Sequence, residues 1–240
     1  MMHSIQQSPM VYTRIAGICY LVIILTGILG QIFIRGSLVV PGDAALTVSN
    51  IAAEPTLWRS GLLVDLLMHI FDLPLMIILY FLFKPISKPL ASLGLAFNII
   101  QTAVLATNKL TLLLPVLILS NADYQAAFTA AQINAQIMLL IDVHNHGFGL
   151  GLIFFGLACG CYGYLIFNST YSPKFIGLLV AIAGLSYFLY SFTLFVAPQY
   201  AAYASILFGF CLLGEVSFCL WLLIKGIDLE KWKNKTLVAG

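Results

Sequence analysis

Asp65, His69 and Asp72 stand within residues 61–74, a stretch that is otherwise almost wholly apolar. At about 100° per helical residue the three side chains fall within about 60° of one another, on one face of a single helix. An ionised side chain in hydrocarbon costs about 2.5–3.5 kcal/mol on insertion scales, so groups of this kind face a bundle interior or a hydrated cavity and take partners. His144 and His146 form a second polar group with Asn145, at the entrance of a later apolar run. Lys109 and Glu215 each lie inside an apolar run of their own, and Asn98, Gln101 and Asn108 add a polar stripe at helical spacing before Lys109.

Three chemistries are open to such a set. The first is a mutually neutralised network that fixes helix packing. The second is a hydrated pocket for a small molecule, a lipid headgroup or an ion, lined by Asp65, His69, Asp72, Asn98, Gln101, Asn108, Lys109, His144, His146 and Glu215. The third is a divalent metal centre, because Asp and His are legitimate metal ligands. Its ligands would come from Asp65, His69, Asp72, His144 and His146, with Glu215 as catalytic base. Neither the Asp65-His69-Asp72 spacing nor the His144-His146 spacing is a metal signature, and the latter lacks the i, i+4 geometry of a helical pair.

The elements that must position these residues follow from composition. Of 240 residues, 61% are hydrophobic and only 8% are charged, against about a quarter charged in soluble domains. The apolar residues fall in runs of about 20, the length that crosses a hydrocarbon core of about 30 Å. One all-α, polytopic membrane domain over 1–240 is expected, with spans near 15–34, 60–83, 90–114, 147–167, 175–196 and 203–224. The run after Arg14 is longer than a signal-peptide core and lacks a small-x-small cleavage pattern, so it reads as a retained first span.

Residues 35–59 carry the turn and helix-boundary residues Pro41, Gly42, Asp43, Glu54 and Pro55, and read as an external loop containing a short helix. Residues 84–89 read as a tight basic turn. With the amino terminus inside, the cytoplasmic segments hold eight basic residues (Arg14, Lys84, Lys88, Lys174, Lys225, Lys231, Lys233, Lys235) against Arg35 and Arg59 outside. That is the positive-inside pattern, and it puts both termini in the cytoplasm. Residues 115–146 are helical in pattern but carry Gln132, Asn134 and Gln136. They read as an external segment that either lies at the surface or extends span four outward. A seventh span there would move the C-terminus across the membrane and spoil the charge bias, so six is the expectation.

A net charge of +2 with one short basic tail does not support a nucleic-acid partner. The expected partners are the bilayer and a small-molecule or lipid ligand. Cys19, Cys159, Cys161, Cys211 and Cys219 all fall in predicted spans and read as small apolar residues, not as a disulfide framework. Gly147, Gly151, Gly156 and Gly160 contain two GxxxG spacings that permit close helix approach. Trp58, Trp221 and Trp232 lie near span ends and read as interfacial anchors.

Several ordered segments carry a family resemblance: residues 14–20, 35–44 from Arg35 through Pro41, Gly42 and Asp43, 144–157 with His144, Gly147, Gly151 and Gly156, 163–166, and Gly214-Glu215 leading to Trp221. Together they resemble the bacterial integral-membrane family catalogued as domain-of-unknown-function family 4386. The resemblance implies a multi-pass protein of the bacterial cytoplasmic membrane and brings no activity, substrate or cofactor. It places Asp43, His144 and Glu215 within recognisable segments. Three functions follow for comparison: a non-enzymatic transporter or sensor with an externally accessible polar pocket, a metal-dependent intramembrane hydrolase, and a structural or assembly subunit with an internally paired polar network.

Overall fold

The computed structural model describes residues 7–239. Ten α-helices run through them: α1 Pro9–Leu38, α2 Ala44–Ala53, α3 Pro55–Phe83, α4 Lys88–Ser120, α5 Ala122–Ala127, α6 Ala130–Asn168, α7 Lys174–Val196, α8 Ala201–Ala204, α9 Leu207–Lys225 and α10 Leu229–Ala239. No strand occurs among the described residues. Six of the helices (α1, α3, α4, α6, α7 and α9) are long and apolar enough to cross a membrane. Pro9, Pro55 and Pro89 stand where a missing N–H is harmless, at the first position of α1 and α3 and just inside α4, whereas Pro74 and Pro115 lie in the interiors of α3 and α4.

Five of the expected spans lie inside single helices, and the helices are longer than the hydropathy suggests. At about 1.5 Å per residue the 39 residues of α6 extend about 58 Å, well beyond the roughly 30 Å of hydrocarbon. The helices divide 115–146 among three elements. Pro115 sits inside α4, which continues to Ser120; Asn121 caps the short α5; and 130–146 is the start of α6 itself. This stretch buries Ile133, Ile137 and Ile141 at spacings of four and leaves Gln132, Leu139 and Val143 exposed. The span expected at 203–224 is interrupted at 205–206, between α8 and α9.

The chain forms two compact units. The first comprises Met1–Val22, Phe71–Ala103 and Gly149–Gly240, and the second Ile23–Ile70 and Val104–Phe148. Within the first, glycines let helix backbones touch. A Cβ on Gly184 of α7 would stand 2.6 Å from the carbonyl oxygen of Gly156 in α6, so this pair is held by the absence of side chains. The end of α3 is closed by groups distant in sequence: the Leu82 carbonyl accepts the Tyr171 hydroxyl at 2.9 Å and the Trp232 indole N–H at 3.0 Å. A last-turn carbonyl has no partner within its own helix, and here two side chains supply one. Arg14 likewise donates to the carbonyls of Leu222 and Leu223 in the last turn of α9, where a cation also suits the helix dipole.

The second unit has its own apolar core of Leu38, Val48, Ile51, Trp58, Leu112, Val116, Ile133, Ile137 and Ile141. Residues 40–43 form the turn into α2: Asp43 N–H bonds the Val40 carbonyl at 3.1 Å and Gly42 takes φ +81°, the value a type II turn demands after Pro41. The Asp43 carboxylate then caps α2 by accepting the Leu46 N–H at 2.9 Å. Asp43→Ala is expected to remove about 1 kcal/mol of local stability, read as faster hydrogen exchange confined to α2. An unchanged α2 would show that packing alone holds this helix.

The tryptophans correct an expectation. Trp58, Trp221 and Trp232 are 2%, 6% and 2% exposed and therefore do not anchor at an interface. Trp58 instead donates to the Leu112 carbonyl at 2.7 Å inside the second unit's core. The five cysteines are free thiols and buried.

Candidate functional site

In the second unit the core-facing stripe of each helix changes from apolar to polar along its length. On α3 Trp58 and Leu62 are followed by Asp65 and His69; on α4 Val116 and Leu112 give way to Lys109; on α6 Ile137 and Ile141 lead to His144. The same periodicity that packs the core therefore brings these polar groups inward.

Asp65 is the centre. It is 1% exposed and takes two cations: Arg35 Nη1 at 2.5 Å and Nη2 at 3.2 Å in a fork, and Lys109 Nζ at 3.0 Å. Arg35 is held from the other side by the Gln31 side-chain oxygen, 3.0 Å from its Nε. Arg35 reaches Asp65 from a π-helical turn, Leu29–Arg35, within α1, a wider winding that often marks functional positions. Gly30 in that turn makes the approach possible, since a Cβ there would stand 2.5 Å from Asp65 Oδ1.

His69 is buried close to this pair, and its Nε2 has no hydrogen-bond partner. Asn108 donates to His144 Nδ1 at 3.1 Å and to the His144 carbonyl at 2.8 Å. His144 Nδ1 is thus an acceptor, so the neutral ring carries its proton on Nε2. A Cβ on Gly147 would strike the Asn108 amide. His146 does not join this group. It is exposed, and its Nδ1–H donates to the Asp142 carbonyl at 2.8 Å; two residues along a helix turn a side chain by about 200°, so both histidines cannot face inward.

Asp72, Asn98, Gln101 and Glu215 belong to the first unit. Asp72 accepts the Thr102 hydroxyl, and Glu215 accepts the Tyr187 hydroxyl at 2.6 Å. No ion pair reaches either carboxyl among the described residues. Asp72 lies eleven residues from the Phe83 end of α3 and Glu215 ten from the Lys225 end of α9, about 17 and 15 Å along their helices. Asn98 Oδ1 is buried without a partner.

The ligand set expected for a metal, Asp65, His69, Asp72, His144 and His146, does not come together. No group of three or more His, Cys, Asp or Glu side chains able to hold a metal forms among the described residues. Sequence reasoning missed Arg35, Thr102 and Tyr187. Arg35 carried a signal in Gln31 one helical turn before it, and Thr102 lies one turn after Asn98; Tyr187 carried none.

No solved structure matches the chain. It is 28% identical over 165 residues to an uncharacterised protein of Archaeoglobus fulgidus, covering 69% of this chain and 83% of that one. A family profile matches residues 15–226, and the chain belongs to that family, described as "Domain of unknown function (DUF4386)".

Proposed function

We propose that this multi-pass protein resides in a bacterial cytoplasmic membrane, with both termini inside, and binds a small molecule, lipid headgroup or ion through the polar cluster of its second unit, as a transporter or sensor. The orientation rests on the eight-to-two distribution of basic residues. One observation carries the binding reading: a buried cluster with two cations and a single acid, Arg35, Lys109 and Asp65, beside the unpartnered Nε2 of His69.

A network built only for packing pairs its charges and satisfies its polar atoms, since each unmatched one costs stability. Here one positive charge is in excess and a buried ring nitrogen is unused, which favours a ligand over a purely structural subunit. The hydrolase reading lacks support from the geometry, because its proposed ligands are dispersed. The buried Asp72 and the half-buried Glu215, each bonded to a neutral hydroxyl, add two further acids whose placement within α3 and α9 suits ion or proton movement in a carrier.

The test is extraction of everything that co-purifies with the native protein and with Lys109→Met, followed by mass spectrometry. A polar compound or lipid enriched in the native sample and depleted in the variant is the expected result. Indistinguishable extracts from two equally folded proteins would count against a ligand at this cluster.

A further inference from the structure

The charge excess of the Asp65 cluster has a sign, a depth and an open edge, and together they name a ligand. Building on the binding reading above, we propose that Arg35, Lys109 and His69 hold the phosphate group of an outer-leaflet lipid.

The sign comes from counting. Two cations share one carboxylate, leaving one positive charge uncompensated where Asp65 and Lys109 are 1% and 5% exposed. Donors are also in surplus. Lys109 has three N–H bonds and uses one on Asp65; Arg35 has five and uses three, on Asp65 and Gln31. His69 Nε2, in the tautomer that carries its proton there, adds another. An anion with several acceptor oxygens satisfies charge and donors at once, and Arg forks suit phosphate.

The depth comes from the sequence. Arg35 follows directly on the apolar run 15–34, whose length of about twenty residues matches one hydrocarbon thickness. With the start of that run at the cytoplasmic surface, Arg35 and the Asp65 carboxylate it holds stand at the level of outer-leaflet phosphates.

The open edge lies on α1, where Gln31 is exposed and the Arg35 side chain is 11% exposed. It is flanked by Leu29, Ile32 and Phe33 at 44%, 62% and 64%, apolar surface suited to acyl chains. From the outer ends of α4 and α6 the buried Val116, Leu112, Ile133, Ile137 and Ile141 precede the cluster. A lateral approach from the bilayer therefore fits better than one from bulk water, which favours a lipid over free phosphate.

The experiment follows thermal unfolding of the full chain in a phosphate-free maltoside detergent during four titrations. The probes are dioleoyl phosphatidylglycerol, a dioleoyl glucosyl diacylglycerol without phosphate, sodium phosphate and sodium succinate. Phosphatidylglycerol is expected to raise the melting temperature saturably, and Lys109→Met and His69→Phe to weaken that response about tenfold or more, the scale of a lost charge-assisted bond. His69→Phe keeps both cations paired with Asp65 and serves if Lys109→Met does not fold.

An equal rise with the phosphate-free lipid, or variants that respond like the native protein, overturns the proposal. A matching response to sodium phosphate overturns the lipid assignment and makes the ligand a soluble phosphate. A Lys109-dependent response to succinate alone overturns phosphate and leaves the binding reading standing. If no probe shifts the native protein and Lys109→Met melts higher than it, the cluster is structural and both readings fall.

Discussion

Asp65→Asn is expected to be the most damaging single substitution in the polar cluster, costing about 3–5 kcal/mol because it leaves two cations facing each other without their acid. On the scale of a domain this size that is a fall in melting temperature of roughly 10 °C or more. The native carboxylate receives the Arg35 fork and Lys109 together, so the loss comes from stranding charge more than from a missing bond. The double variant Asp65→Asn/Lys109→Met separates these: with one cation left, and that one able to reach the surface through its 11% exposed side chain, much of the lost stability should return. A single variant as stable as the native protein would mean that the cluster is solvated and that burial is not what governs it.

Gly184→Ala is the second large effect. The added Cβ would meet the backbone carbonyl of Gly156 at 2.6 Å and the Cβ of Cys159 at 2.9 Å. A backbone atom cannot rotate away, so α6 and α7 must separate, at a cost of about 1–3 kcal/mol or somewhat more. Gly160→Ala supplies the comparison, since a Cβ there would meet nothing within 4 Å, and its melting temperature should be unchanged or slightly higher because Ala favours helix. Equal losses from both substitutions would show that helix flexibility matters here and close approach does not.

The helical membrane architecture is legible because burial in lipid demands long apolar runs, and those are written directly in the sequence. Helix ends are not. Hydropathy ends where charge and amide side chains begin, whereas α6 continues on packing: Ile133, Ile137 and Ile141 hold its first turns against the second unit's core. The tryptophans mislead for a related reason. An indole near a span end suits the interface, but Trp58 and Trp232 each find a buried carbonyl instead, a partner that no local pattern announces.

The site is legible in part. Spacing alone puts Asp65, His69 and Asp72 on one face, and all three are buried. It does not separate their environments, since Asp65 pairs with cations while Asp72 takes the Thr102 hydroxyl. Arg35 reads as an external loop charge because it follows an apolar run. The π-helical turn at Leu29–Arg35 changes the register there, so an ordinary helical wheel does not place this guanidinium against Asp65.

The closure of α3 bears on how the protein is made. Leu82 is synthesised long before Tyr171 and Trp232, the two side chains that bond its carbonyl. During biosynthesis the end of this helix must rely on water or on the insertion machinery until residue 171 has emerged, and it gains its second donor only with residue 232. Assembly of this hairpin end is thus coupled to synthesis of chain far downstream, and a ribosome stalled before residue 232 would hold a nascent chain whose third helix is formed but not yet fastened.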